Sequence, residues 1–298
     1  MRVVIAGGTG FLGRALGRAL LDQGHEVVVL TRSRKAAGVS AVVWSPGGEP
    51  GAWAEVIDGA GAVVNLAGES IGAGRWTDAR RRAIRESRVT ATRSLVEACL
   101  QAKRPPRVFV SGSGQGYYGD RGDEVLTEAS GPGRDFLAGV CAEWEAEAQK
   151  VSSVARLAVL RSALVLDRDE GALPRMVLPF RLLAGGPIGS GRQFVSWVHR
   201  DDWVGLAVRA VADSRFEGPV NAGSPNPVRN AEFAKAIGKA LGRPSWIRTP
   251  ATALRAALGE MADALLLSSQ RMVPAKALDL GYEFRHPEAR GALARILG

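Results

Sequence analysis

Cysteine is scarce in this 298-residue chain, with only Cys99 and Cys141 present. A pair of cysteines builds no disulfide framework, and their separation matches no metal-ligand spacing, so no metal site is predicted. Long apolar runs are also missing: none approaches the ~20 residues a membrane span needs. The apolar residues at positions 3 to 6 run straight into glycines, which is not the layout of a signal peptide. These absences predict a cytoplasmic protein with no membrane partner. Lysine is sparse as well, at six of 39 basic residues.

The net charge of +9 would suit an anionic partner. However, no nucleic-acid module accompanies it, and an arginine-rich chain also rich in Ala and Gly reads as a coding bias. The densest run, DARRRAIRESR, places Arg81, Arg85 and Arg88 on one helical face. No nucleic-acid partner is expected, and a homodimer is left open.

Hydrophobic content of 46% and charged content of 23% fit a globular chain long enough for one large domain with an appended lobe. Apolar runs at 2–6, 26–32, 41–44, 61–68, 107–113 and 155–166 read as strands, that at 61–68 running into a small-residue turn. Helical patterns at 11–23, about 77–101 and about 135–150 alternate with them. That alternation predicts an α/β fold, a parallel sheet covered on both faces. After about residue 167 the rhythm breaks at Pro174, Pro179, Pro187 and GGPIGSGRQ. The expected division is therefore 1–167 for the main domain, with later segments returning to it, and 168–298 for a substrate-side lobe and C-terminal extension.

The stretch AGGTGFLG places Gly7, Gly10 and Gly13 three apart, between the first strand and the first helix. Such glycines allow a tight turn, close approach of backbone to a pyrophosphate, and close helix–sheet packing. Backbone around Thr9, Phe11 and Leu12 would then aim the positive end of the helix at the phosphates. The predicted ligand is a dinucleotide. Where an NAD site usually offers a carboxylate, the second strand ends in Thr31, Arg32 and Ser33. Arginine binds a 2′-phosphate by charge-assisted hydrogen bonds, so NADP(H) is the expected cofactor and Arg32 its main phosphate contact.

The G-x-x-G-x-x-G spacing resembles the extended short-chain dehydrogenase/reductase families. NLAGESI, RWTDARRRAIRESRV, SGSGQGYYGDRG, DFLAGVCAEWEAEA, FVSWVHRDD and the tail from ALGEMADALLLSSQRMVP narrow the match. Together they resemble the epimerase-family proteins of the atypical short-chain dehydrogenases, which carry a short C-terminal domain of unknown function. The resemblance implies a Rossmann-type, doubly wound parallel sheet with NADP bound and an unknown small-molecule substrate. It also implies cofactor contacts at Leu66 and Ala67, with Gly68 beside them, and at Arg88. Asn65, at a strand's carboxyl end, is a cofactor contact or a turn residue, and Ser111 lies on the cofactor side of the next strand.

Ordinary short-chain reductases use a Tyr-x-x-x-Lys pair, in which the lysine lowers the tyrosine's pKa. Here Leu137 and Cys141 take those positions, and residues 119–149 contain neither tyrosine nor lysine. Ser113, Tyr118 and His199 are the remaining catalytic candidates. The alternative for His199 is a side chain locked by Asp201 or Asp202 at a helix start. Arg161 could reach a substrate anion or a buried carboxylate. Two functions stay open: an NADP(H)-dependent oxidoreductase or epimerase-like enzyme, and a non-catalytic NADP(H)-responsive sensor.

Overall fold

The computed structural model describes residues 1–32, 40–47 and 50–298. The first half alternates strands and helices: β1 (Arg2–Ala6), α1 (Phe11–Asp22), β2 (Glu26–Thr31), β3 (Ser40–Val43) and β4 (Ala62–Asn65). Next come α2 (Asp78–Gln101), β5 (Val108–Gly114) and α3 (Phe136–Gln149). Strands Arg156–Ser162 and Gly218–Ala222 complete a seven-stranded sheet. Its order runs from Gly218–Ala222 through Arg156–Ser162, β5, β4, β1 and β2 to β3, with every pairing parallel. The last of the sheet's strands in sequence thus lies well beyond residue 167.

Alternation along β1 divides the core into two layers. Val3 and Ile5 pack with Leu16 and Leu20 of α1 and with Trp203 and Leu206 of the helix Arg200–Ala212. Val4 and Ala6 pack on the other face with Leu95, Val96 and Cys99 of α2. Local chemistry sets the helix starts. The Thr77 hydroxyl caps α2 by accepting from Arg80 N at 3.2 Å, and Asp135 caps α3 by accepting from Ala138 N at 2.9 Å.

β2 and β4 flank β1 on opposite sides, so the strand order reverses at β1. Ligands of open α/β sheets bind outside the carboxyl ends of the strands at such a reversal. The glycine loop occupies that place.

A third core joins the helices Leu173–Arg181, Asn230–Leu241 and Ala289–Leu297 around Phe180, Trp197, Phe233 and Leu293. The tail also enters the main domain. Arg271–Met272 pairs with Val125–Leu126, and Met272 is fully buried among sheet residues. Among the described residues, no helix is long and apolar enough to cross a membrane.

Candidate functional site

The three loop glycines turn out to be different. Gly7 has φ of +78°, and a Cβ there would lie 2.6 Å from the Leu66 carbonyl oxygen. A Cβ on Gly13 would lie 2.3 Å from the Gly7 carbonyl oxygen. Both are glycine because the protein's own backbone leaves no room. Gly10 is looser: an added Cβ would meet only the Gly7 carbonyl, at 3.2 Å. Gly10 begins α1 without a side-chain cap, and no acidic residue stands in the helix's first turn. The N–H groups of Phe11, Leu12 and Gly13 therefore have no intrahelical acceptor and no capping oxygen. An uncapped helix start without a carboxylate fits an anionic group. Thr9 is exposed; its carbonyl accepts from Arg14, which also pairs with Glu170 at 2.5 Å. Phe11 and Leu12 pack partly against the core.

The end of β4 forms the opposite wall. Asn65 is fully buried; its amide donates to Thr92 Oγ1 at 2.8 Å and its Oδ1 accepts from Ala67 N at 3.1 Å. Its side chain therefore holds the Leu66–Ala67 turn in shape, the turn role that the sequence left open. Arg88 acts one layer further back. It donates to the carbonyls of Ile84 at 2.9 Å and Glu69 at 3.0 Å, and it lies over Trp144, 5.3 Å from the ring centre. A Cβ on Gly68 would meet its guanidinium carbon at 3.1 Å. Burial holds the Arg88 pKa below its usual value. Arg88 is thus spent on the loop that would cradle a cofactor.

Thr31 is buried at the end of β2, and Arg32 extends from it with 78% of its side chain exposed. The Arg32 guanidinium stands 3.6 Å from Glu69, whose carboxylate also pairs with Arg80 at 3.4 Å. Ser33 lies outside the described residues.

At the end of β5 the candidate residues are drawn into the interior. Ser111 is fully buried and donates to the Gly112 carbonyl at 3.1 Å. The Ser113 hydroxyl donates to Glu145 Oε1 at 2.6 Å. Glu145 is gripped by Arg161 through bonds of 2.9 and 2.7 Å. Burial opposes the charge of Arg161, which is 3% exposed, but the pairing with Glu145 outweighs this and raises its pKa. Arg161 also donates to the Tyr118 hydroxyl at 3.0 Å, and that hydroxyl lies 2.6 Å from Asn221 Oδ1. Tyr118 is fully buried, and burial pushes its pKa up to about 12. A phenol so enclosed and so weakly acidic is a structural link in this network. Cys141 is buried too, its thiol pushed up to about 11 by burial and then by the Glu145 charge. Leu137 packs with Trp76, Ile84, Val140 and Met261.

His199 is the N-cap of the helix Arg200–Ala212, with Nδ1 accepting from Asp201 N at 3.1 Å. Asp202 does not lock His199. It accepts instead from the backbone N–H groups of Arg285 and His286 at 2.7 and 2.9 Å. The His199 and His286 rings face each other at a tilt of 31°, with centres 3.9 Å apart. Burial, and then the neighbouring His286, lower the His199 pKa. Ligand atoms of His199, Asp201 and His286 lie within 4.8 Å of one another. The set does not suit a metal ion: His199 Nδ1 is already an acceptor at a positive helix end, and Arg200 pairs with Asp201 at 3.3 Å. Among the described residues, no hydrogen bond joins His199 to Ser113 or Tyr118.

With this geometry in hand, comparison with known proteins identifies the lineage. Residues 3–223 match the NAD dependent epimerase/dehydratase family, and residues 249–296 match a domain of unknown function, DUF1731. This chain belongs to the NAD dependent epimerase/dehydratase family.

Its relatives in the family include the epimerase family protein SDR39U1 homolog, chloroplastic, of Arabidopsis thaliana, 40% identical across 100% of this chain and 87% of that protein. Epimerase family protein YfhF of Bacillus subtilis is 36% identical across 100% of this chain and 98% of its own length. The crystal structure of human epimerase family protein SDR39U1 (isoform2) with NADPH superposes with a TM-score of 0.90 at 36% identity, covering 100% of this chain and 99% of that one. The site of this epimerase-family chain also contains residues that sequence reading did not single out for function. Glu69 sits between Arg32 and Arg80, and Asn221 closes the Tyr118 network from a strand 103 residues away. Glu69 lies within NLAGESI, but nothing in that motif marks its arginine partners, and Asn221 lies in no motif; partners brought together from separate elements leave no periodic signal.

Proposed function

We propose that this protein binds NADP(H) across the carboxyl ends of β1, β2 and β4 and acts as an oxidoreductase on a small molecule. The observation that carries the reading is the uncapped start of α1 behind Gly10, with an exposed arginine at the end of the neighbouring strand. The N–H groups of the first α1 turn would hold the pyrophosphate, and Arg32 would hold the 2′-phosphate. The human relative crystallised with NADPH supports the same assignment. The bound nicotinamide would supply hydride chemistry.

The chain's own residues limit what accompanies that chemistry. Leu137 carries no proton to give, and Cys141 keeps its thiol proton at neutral pH. The Ser113 hydroxyl spends its proton on Glu145, which is held by Arg161. Ser113 Oγ is left as an acceptor, suited to a substrate hydroxyl, and water is the remaining proton source. The enclosure of Tyr118 and the loss of the Tyr-x-x-x-Lys pair favour a second reading, an NADP(H)-responsive binding protein without turnover.

One experiment separates the two. The purified full chain is incubated with NADPH and a small-molecule extract, and absorbance at 340 nm is followed. Steady oxidation that falls at least tenfold in Ser113→Ala, with NADPH affinity retained, supports the enzyme. NADPH binding without oxidation in any extract fraction supports the sensor, and failure to bind NADPH overturns both.

A further inference from the structure

Against the expectation of no membrane partner, which rested on the lack of a spanning segment, we infer that the face formed by residues 178–183 and 243–248 docks onto an anionic lipid surface. Among the described residues eleven large apolar side chains are exposed, and five lie here: Leu178, Leu182, Leu183, Trp246 and Ile247. Trp246 is 75% exposed and Leu182 69%. The chain just after the first segment touches the second. Ile247 N donates to the Gly185 carbonyl at 3.1 Å, and a Cβ on Gly186 would lie 2.2 Å from the Ile247 carbonyl oxygen. Leu183 has φ of +61°, the only non-glycine among the described residues in that region. A branched side chain held in the left-handed region, facing water, is unfavourable twice over.

Charge selects the occupant. No Asp or Glu occurs between residues 171 and 200, or between 233 and 259. Arg181, Lys239 and Arg243 are exposed, and none is in an ion pair among the described residues. By contrast, Arg80, Arg81 and Arg85, in the densest basic run on α2, each face a carboxylate. The acid-free face therefore keeps its positive field. A two-fold contact with a second copy would set Arg181 and Arg243 against positive charge and offer them no carboxylate. A bilayer surface supplies both complements, since Trp and Leu enter the headgroup boundary while Lys and Arg meet anionic lipids.

The test is flotation of the full chain with vesicles of phosphatidylcholine alone or with 30% phosphatidylglycerol (roughly the anionic fraction that lends such surfaces their potential). Binding to the anionic vesicles is expected, at least tenfold above the neutral ones and weaker as salt rises. Leu182→Ser with Leu183→Ser, and separately Arg181→Glu with Arg243→Glu, should each reduce it at least tenfold. NADPH affinity and thermal unfolding, measured on the same variants, should stay unchanged and so exclude misfolding. No flotation with either vesicle overturns the inference, as does equal flotation with both. A dimer in sedimentation that Trp246→Ala dissociates assigns the face to a second copy. Salt-sensitive binding to polyglutamate without vesicle binding assigns it to an acidic protein.

Discussion

At the residue scale, identical glycines answer to different forces. Gly13 is fixed by the Gly7 carbonyl, 2.3 Å from where a Cβ would stand, whereas at Gly10 a Cβ would meet that one carbonyl oxygen at 3.2 Å, a tight contact that a small shift relieves. Gly13→Ala should therefore destabilise the fold by about 1–3 kcal/mol, read by urea unfolding. Gly10→Ala should leave stability within about 1 kcal/mol and weaken NADPH at least tenfold, read by calorimetric titration. Arg32→Glu should weaken NADPH by tenfold or more and NADH far less, because only NADPH carries the 2′-phosphate; equal losses would refute the phosphate assignment. The spacing of the glycines and the basic end of β2 were legible in the sequence, since both are local. The difference between Gly10 and Gly13 was not, because it depends on backbone that returns from elsewhere.

Pairs of elements decide which polar groups are free to react. β5, α3 and the strand Arg156–Ser162 meet at Ser113, Glu145 and Arg161. Glu145→Ala would leave the guanidinium of Arg161, 3% exposed, without its counter-charge and should cost about 3–5 kcal/mol, read by urea unfolding. Replacing both residues by methionine should recover much of that loss. The sequence left Arg161 open between a substrate anion and a buried carboxylate; Glu145 is that carboxylate. At the start of the helix Arg200–Ala212, the folded state lowers the His199 pKa below 6.5, so the unfolded chain takes up a proton first as pH falls. The stabilising contribution is complete above about pH 6.5 and is lost as pH falls from there through the lowered folded value. His199→Asn keeps a capping oxygen and removes the titration, so the decline of melting temperature below pH 6.5 should be shallower in that variant.

Across the whole molecule, the C-terminal segment is part of the fold's interior. Met272 joins the main core, and Leu293, also fully buried, joins the third. A chain ending at Arg248 would expose both cores and lose the strand pairing at Val125–Leu126. Such a truncation should lack a cooperative unfolding transition, and circular dichroism with heating would show this. No motif in the sequence assigns this tail a mechanism. Its buried residues are spaced among turns and short helices, so neither a 2-residue nor a 3.6-residue period marks them.

By itself the sequence determined the α/β alternation, the first helix's place behind a glycine loop, the basic end of β2 and the loss of the Tyr-x-x-x-Lys pair. Each of these depends on neighbours a few residues apart, within reach of periodicity and spacing. Tertiary structure alone decided that Tyr118 is enclosed, that Asn65 shapes a turn, that Ser113 gives its proton to Glu145 and that an acid-free apolar face exists at 178–183 and 243–248. These depend on burial, and burial is set by which distant segments arrive at the same place.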